Sequence, residues 1–175
     1  EAAGKLLSLC GYGGDSVRQG KLALLPAKFK LVEQKAAGRI RNLGFSYHGD
    51  VSIFDLMLRW HDEGRYHWDF VQIELNYLEW NVDHENHYKG TDAKYLYDEL
   101  AKRGIPAVIM EPLLGGRLAK VPEADVAKMK QRRPGDSVAA WAFRFAGTPE
   151  GILTVLSGMT YMEHLQDNLR SFSPL

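Results

Sequence analysis

The run Ser157-Gly158-Met159-Thr160 joins a short apolar stretch to an amphipathic one. Glycine lets the backbone approach an anion, and a helix start offers free N–H groups and the positive end of its dipole. The run is therefore a candidate phosphate cradle. A plain turn uses the same residue types, and from this loop alone the turn is the better reading. Met110-Glu111-Pro112-Leu113-Leu114-Gly115-Gly116 is a second loop of this kind, shaped by a proline and paired glycines. Two such loops after adjacent strands carry the phosphate reading further than either does alone.

Gln72 lies inside an otherwise apolar run, VQIEL. A buried carboxamide needs partners, because an unpaired one costs about 1–3 kcal/mol. Facing a barrel mouth it would bind a ligand amide; bonding to neighbouring backbone is an equal alternative. Glu74 follows two residues later and shares its orientation, as a second inward polar group. His48 is the histidine to keep as a pocket residue. His61 and His67 flank a turn and read as surface. His84 and His87 have a spacing that permits a metal, yet loop histidines are usually solvated, so no metal site is assigned. Tyr47 and Tyr77 are phenols near strand ends, with no neighbour in sequence to lower their pKa. Trp60, Trp68, Trp80 and Trp141 read as core.

Such groups need a frame. Ile40 to Ser46, Trp68 to Leu75, Ile105 to Met110 and Ile152 to Leu156 are short apolar strand candidates. Between them run amphipathic helices. One spans roughly Val51 to Glu63, capped by Asp50 and stopped by Gly64. One runs from a cap at Thr91 through Arg103, and one from Asp136 or Ser137 through Phe145. Thr160 and Glu163 have capping-box spacing at the start of a last helix to Leu169. Ala27 to Ala37 reads as a helix, ended by Gly38, and Lys5 to Leu9 as a further candidate strand. Gly11 to Leu25 has no clear place. Strand–helix alternation predicts a parallel sheet with crossover helices, its four strands neighbours in chain order. Gly11, Gly13 and Gly14 do not match the dinucleotide fingerprint of a doubly wound sheet. A (β/α) barrel, with its phosphate loops after late strands, is the better reading.

Composition excludes several other classes. The 175 residues suffice for one domain, with 45% hydrophobic and 25% charged residues. Lysine plus arginine (22) equals aspartate plus glutamate (22), so no basic nucleic-acid footprint is expected. No apolar run is long enough to span a bilayer, and Glu1 to Cys10 lacks the basic lead of a signal peptide. Cys10 alone forms neither an internal disulfide nor a thiolate metal site, and a cytoplasmic location is expected. Neither the physiological substrate nor the oligomeric state is written in these residues.

Four blocks, IRNLGFSYHG, WDFVQIELNYL, IPAVIMEPLLGG and TVLSGMTYMEHLQDNL, resemble in order and spacing the second half of the aldo-keto reductases. The branch is similar to bacterial members with a C-terminal cysteine-rich iron–sulfur extension. The resemblance covers Ala27 to Leu175, leaving residues 1–26 unassigned. It implies a TIM-type (β/α)8 barrel, present here as its C-terminal half of about four to five β/α units. It further implies reduction of an aldehyde or ketone by hydride transfer from NADPH, with NADH as second choice.

Carried over by motif, Ser46 and Gln72 would hold the nicotinamide carboxamide, and Met110 would pack on the ring through its soft sulfur. Glu111, Pro112, Leu113 and Gly115 would line the pyrophosphate. Gly158, Met159 and Thr160 would meet the adenosine phosphate, with His164, Asp167 and Asn168 flanking the adenine. His48 and Tyr77 would face the substrate. The family's catalytic aspartate, tyrosine and lysine have no counterpart here, and Leu6-Leu7-Ser8 replaces its leucine-leucine-histidine pattern. No catalytic residue is therefore identified. Gly158 and His164 stand where many members hold a basic residue on the 2′-phosphate, which leaves the choice between NADPH and NADH open. An iron–sulfur cluster would belong only to a longer chain. The reading is an enzyme when complete, inactive as these 175 residues alone. Two alternatives stay open: a non-catalytic nucleotide-binding remnant or sensor subunit, and a phosphate-binding barrel enzyme of other chemistry.

Overall fold

A computed structural model describes residues 31–49, 51–81 and 92–173. The expectations placed on Lys5 to Leu9, Gly11 to Leu25, Asp50, Thr91, His84 and His87 lie outside the described residues. Four strands, β1 (Gly44–Ser46), β2 (Phe70–Glu74), β3 (Ala107–Met110) and β4 (Ile152–Val155), form one sheet in the order β1-β2-β3-β4. Every pair is parallel, as the alternation predicts, with one irregularity between Ala107 and Val108. Helix α1 (Val51–Asp62) links β1 to β2, and α2 (Ala93–Ala101) precedes β3. Helices α3 (Glu123–Arg132) and α4 (Val138–Gly147) lie between β3 and β4, and α5 (Met162–Ser171) follows β4. Residues 31–36 are helical. This is the architecture of part of a (β/α) barrel.

The two-residue period of a strand sorts the sheet into two faces. Phe45, Val71, Ile73, Ala107 and Ile109 join Phe54, Met57 and Leu58 of α1 and Leu96 and Leu100 of α2 in one buried core. Ser46, Gln72, Glu74, Val108 and Met110 fall on the other face, the one a closed barrel turns inward. Trp68 is buried and donates its indole N–H to the Met57 carbonyl at 2.9 Å, while Trp60 and Trp80 pack against the core, as expected.

Three elements differ from the sequence reading. The first strand begins at Gly44, because Ile40 and Leu43 are buried from a loop rather than paired through a full strand. Helix α2 is capped by Asp92, whose side chain accepts the Tyr95 N–H at 3.0 Å. Helix α5 begins at Met162, with no capping box from Thr160. Ser137 does cap α4, accepting the Ala140 N–H at 3.0 Å.

Arg103 fastens α2 to α1. Its guanidinium meets Asp62 and Glu99, each at 2.8 Å. Both carboxyls are held below their usual range, chiefly by hydrogen bonds: Asp62 to Arg103, Glu99 to Lys102 and then Arg103. Because these groups are partly solvated, Arg103→Met should cost only about 0.5–1 kcal/mol, less in high salt. Denaturant unfolding at two ionic strengths checks this; a loss insensitive to salt would contradict it.

Candidate functional site

Three of the residues singled out for the nicotinamide meet on one face of the sheet. Ser46 and Gln72 are register partners on β1 and β2, and Met110 ends β3. Gln72 Nε2 donates to Ser46 Oγ at 3.1 Å and to Met110 Sδ at 3.3 Å. Ser46 Oγ lies 3.9 Å from the same sulfur. The side-chain Oε1 of Gln72 accepts nothing among the described residues, while its backbone carbonyl accepts the Tyr47 N–H at 2.9 Å, so one end of the carboxamide is anchored and the other is open. That arrangement fits a ligand amide: an acceptor presented at fixed angle, with a polarizable sulfur alongside.

Glu74 stands beyond Gln72 on the same face, in register with Met110. It is 7% exposed. His48 Nε2 lies 3.4 Å from Glu74 Oε2. Burial, then the neighbouring Glu79 charge, raises the Glu74 carboxyl from 4.5 to about 7, with a smaller upward push from Glu111 and an opposing one from His48. Glu79 and Asn76 are also buried. Asn76 Nδ2 donates to Glu79 Oε2 at 2.8 Å, and its Oδ1 accepts the Leu78 and Glu79 N–H groups, each at 3.1 Å. Glu79 and Asn76 escape the sequence reading, which stops at the strand; the available signal was an asparagine opening a turn.

A raised carboxyl is a linkage statement. The folded protein keeps the Glu74 proton where the unfolded chain has lost it, so stability is full below about 4.5 and falls as pH rises through about 7. Glu74→Gln should flatten that slope in thermal unfolding measured across the window. An unchanged slope would contradict it.

The loop after β3 is strained where it would line an anion. Glu111 and Leu114 have φ of 53° and 48°, a region that disfavours L side chains, and Gly115 and Gly116 continue at 62° and 88°. Glu111 Oε2 accepts the Gly115 N–H at 2.5 Å, so a carboxylate of the chain already holds one amide of this cradle. Pro112 is buried, and Leu113 and Gly115 stand half-buried and exposed. After β4, Gly158 has open space around its Cα, and Met159 and Thr160 are exposed. His164 Nδ1 accepts the Thr160 N–H at 3.4 Å. Asn168 Nδ2 donates to Ser157 Oγ at 2.9 Å, and Asp167 Oδ2 accepts from Ser137 Oγ at 2.5 Å. Asp167 and Asn168 thus brace α5 against α4 and the loop.

Of the two substrate candidates, His48 stands at the rim beside Glu74. Tyr77 packs edge-on against Phe145 of α4, its hydroxyl enclosed and without a partner among the described residues. Burial pushes that phenol up, which makes it a poorer acid. Among the described residues no group of histidine, cysteine, aspartate or glutamate is placed to hold a metal, and no helix is long and apolar enough to cross a membrane.

No curated protein matches the chain by sequence. A crystal structure titled Gox0644 at apoform is similar in fold, with a TM-score of 0.60 at 20% identity, over 85% of this chain and 50% of that one. The chain thus spans half the length of that structure. The model of the aldo/keto reductase family matches residues 22–175. With four parallel β/α units and a family match across most of its length, the chain belongs to the aldo/keto reductase family.

Proposed function

We propose that this chain is the cofactor-binding part of an NAD(P)H-dependent reductase acting on aldehydes or ketones of small size. The observation that carries the reading is the meeting of Gln72, in the middle of β2, with Ser46 and Met110, which end β1 and β3; barrel enzymes keep their sites at the C-terminal ends of their strands. Bound NADPH would supply a hydride there. Gln72 Oε1 would accept from the nicotinamide amide, Ser46 would fix the angle of Gln72, and Met110 would pack on the ring. Glu111, Pro112, Leu113 and Gly115 would border the pyrophosphate, with the Glu111 carboxylate swinging off the Gly115 N–H to admit it. Gly158, Met159 and Thr160 would meet the far phosphate, with His164, Asp167 and Asn168 near the adenine. Residues 27–175 form the C-terminal β/α units of the barrel, and the family's catalytic group would reside on other strands. NADH is the second cofactor to test, since no lysine or arginine occupies Gly158 or His164. A cytoplasmic setting suits a chain with a single cysteine, Cys10.

In the full-length protein, Gln72→Ala should weaken NADPH binding by about 1–3 kcal/mol, the scale of a lost buried hydrogen-bond partner. A fluorescence titration reads it directly. Unchanged affinity would remove Gln72 from the site.

A further inference from the structure

We infer that the Glu111 carboxylate is a built-in competitor for phosphate: it occupies the glycine loop after β3, and an anion enters only by displacing it. The inference rests on the cofactor reading of the same face and adds a control on it.

Its first support is the contact itself. Glu111 Oε2 accepts the Gly115 N–H at 2.5 Å. An amide N–H meeting a carboxylate makes the same donor–acceptor pair that it would make with a phosphate oxygen. The adjacent Gly116 N–H donates to nothing among the described residues. Gly115 and Gly116 are both exposed. One donor of the loop is therefore taken by an anion of the chain, and the next is open.

Its second is that this contact does not shape the loop. Asn76 is fully buried and donates from Nδ2 to the Glu111 backbone carbonyl at 3.3 Å. Asn76 is itself fixed by the Leu78 and Glu79 N–H groups on its Oδ1. The Leu114 N–H returns to the Glu111 carbonyl at 3.0 Å, and the Leu118 N–H to the Leu113 carbonyl at 3.1 Å. The positive φ values of Glu111 and Leu114 are thus held by backbone bonds and by Asn76. The loop keeps its form when the carboxylate turns away.

Its third is that the carboxylate is free to turn. Glu111 is exposed, and among the described residues no lysine, arginine or histidine pairs with it. An exposed contact of this kind is weak, so it yields to a ligand fixed at a second point. Gln72 supplies that point through the nicotinamide amide, which makes the exchange of carboxylate for phosphate an intramolecular step. A free phosphate has no such anchor and competes with a side chain tethered beside the amide. The device keeps the loop clear of free phosphate and yields it to the whole dinucleotide.

Three measurements on the full-length protein test this. Without ligand, the Gly115 amide proton should exchange slowly with solvent in the wild-type protein and quickly in Glu111→Ala. Titrated with inorganic pyrophosphate, Glu111→Gln and Glu111→Ala should bind about 10-fold more tightly than wild type, as for a loop that is open about one-tenth of the time. NADPH should gain by about the same factor, because both ligands displace one carboxylate. Glu123→Gln removes an exposed carboxylate of α3 and controls for net charge; it should leave both affinities unchanged. Equal exchange in wild type and Glu111→Ala, Glu111 variants that bind pyrophosphate no more tightly, or an equal gain in Glu123→Gln would overturn the inference and leave the cofactor reading standing. Failure of the wild-type protein to bind NADPH would overturn the cofactor reading instead, while amide exchange and pyrophosphate would still decide the contact.

Discussion

A polypeptide limited to residues 1–175 is expected to oxidise no NADPH with any aldehyde and to self-associate. Parallel sheets are normally covered on both faces. Here the core side is packed by α1 and α2, but among the described residues β4 pairs only with β3, and its outer edge is bare. Leu153 on that strand is 60% exposed, and Leu156, Met162 and Leu169 stand exposed nearby. A bare edge beside apolar side chains is a template for contact between copies. The same openness defeats catalysis, because a hydride acceptor must be held within close range of its donor and shielded from water. NADPH absorbance with a panel of aldehydes, alongside light scattering, reads both outcomes. A monodisperse monomer that turns over aldehydes would contradict both and send the search for a proton donor to His48.

The second large effect is expected at Gly44. This residue pairs with Phe70 across β1 and β2, and an added Cβ would lie 2.4 Å from the Phe70 carbonyl oxygen and 2.7 Å from its ring. Neither neighbour can yield cheaply, since one is backbone in the sheet and the other a buried ring. Gly44→Ala in the full-length protein should cost about 3 kcal/mol, the upper end of overpacking. It should also weaken NADPH binding, because displacing β1 moves Ser46 away from Gln72. Gly135, with open space around it, is the control, and its alanine variant should be near neutral. Denaturant unfolding with a parallel cofactor titration measures both. Equal stability of the two variants would show that β1 is not seated as described.

The strands and their order were readable because each was a short apolar run punctuated by glycine, proline or a polar loop. The polar intruder Gln72 was readable for the same reason, since it interrupts such a run. Helix α3 was not, because it buries no residue and so carries no apolar stripe; its signals were a proline start, Glu123 and Asp125 in the first turn, and Lys130 and Arg132 in the last. The capping box at Thr160 was misleading because His164 takes the Thr160 N–H instead. Asn76 and Glu79 were invisible because their meaning lies in a contact across a turn. Tyr77, read as a substrate neighbour from its place near a strand end, packs on α4 instead, a distinction that depends on tertiary packing.

The most direct test of the cofactor assignment is an NMR titration of the isotope-labelled full-length protein with NADPH, observing the Gln72 side-chain amide together with the Gly115 and Gly158 backbone amides. The account predicts that all three move along one saturable isotherm, since one extended ligand would touch the Gln72 carboxamide and both glycine loops. Saturable binding that leaves Gln72 unmoved, or that shifts only one of the two loops, would contradict it.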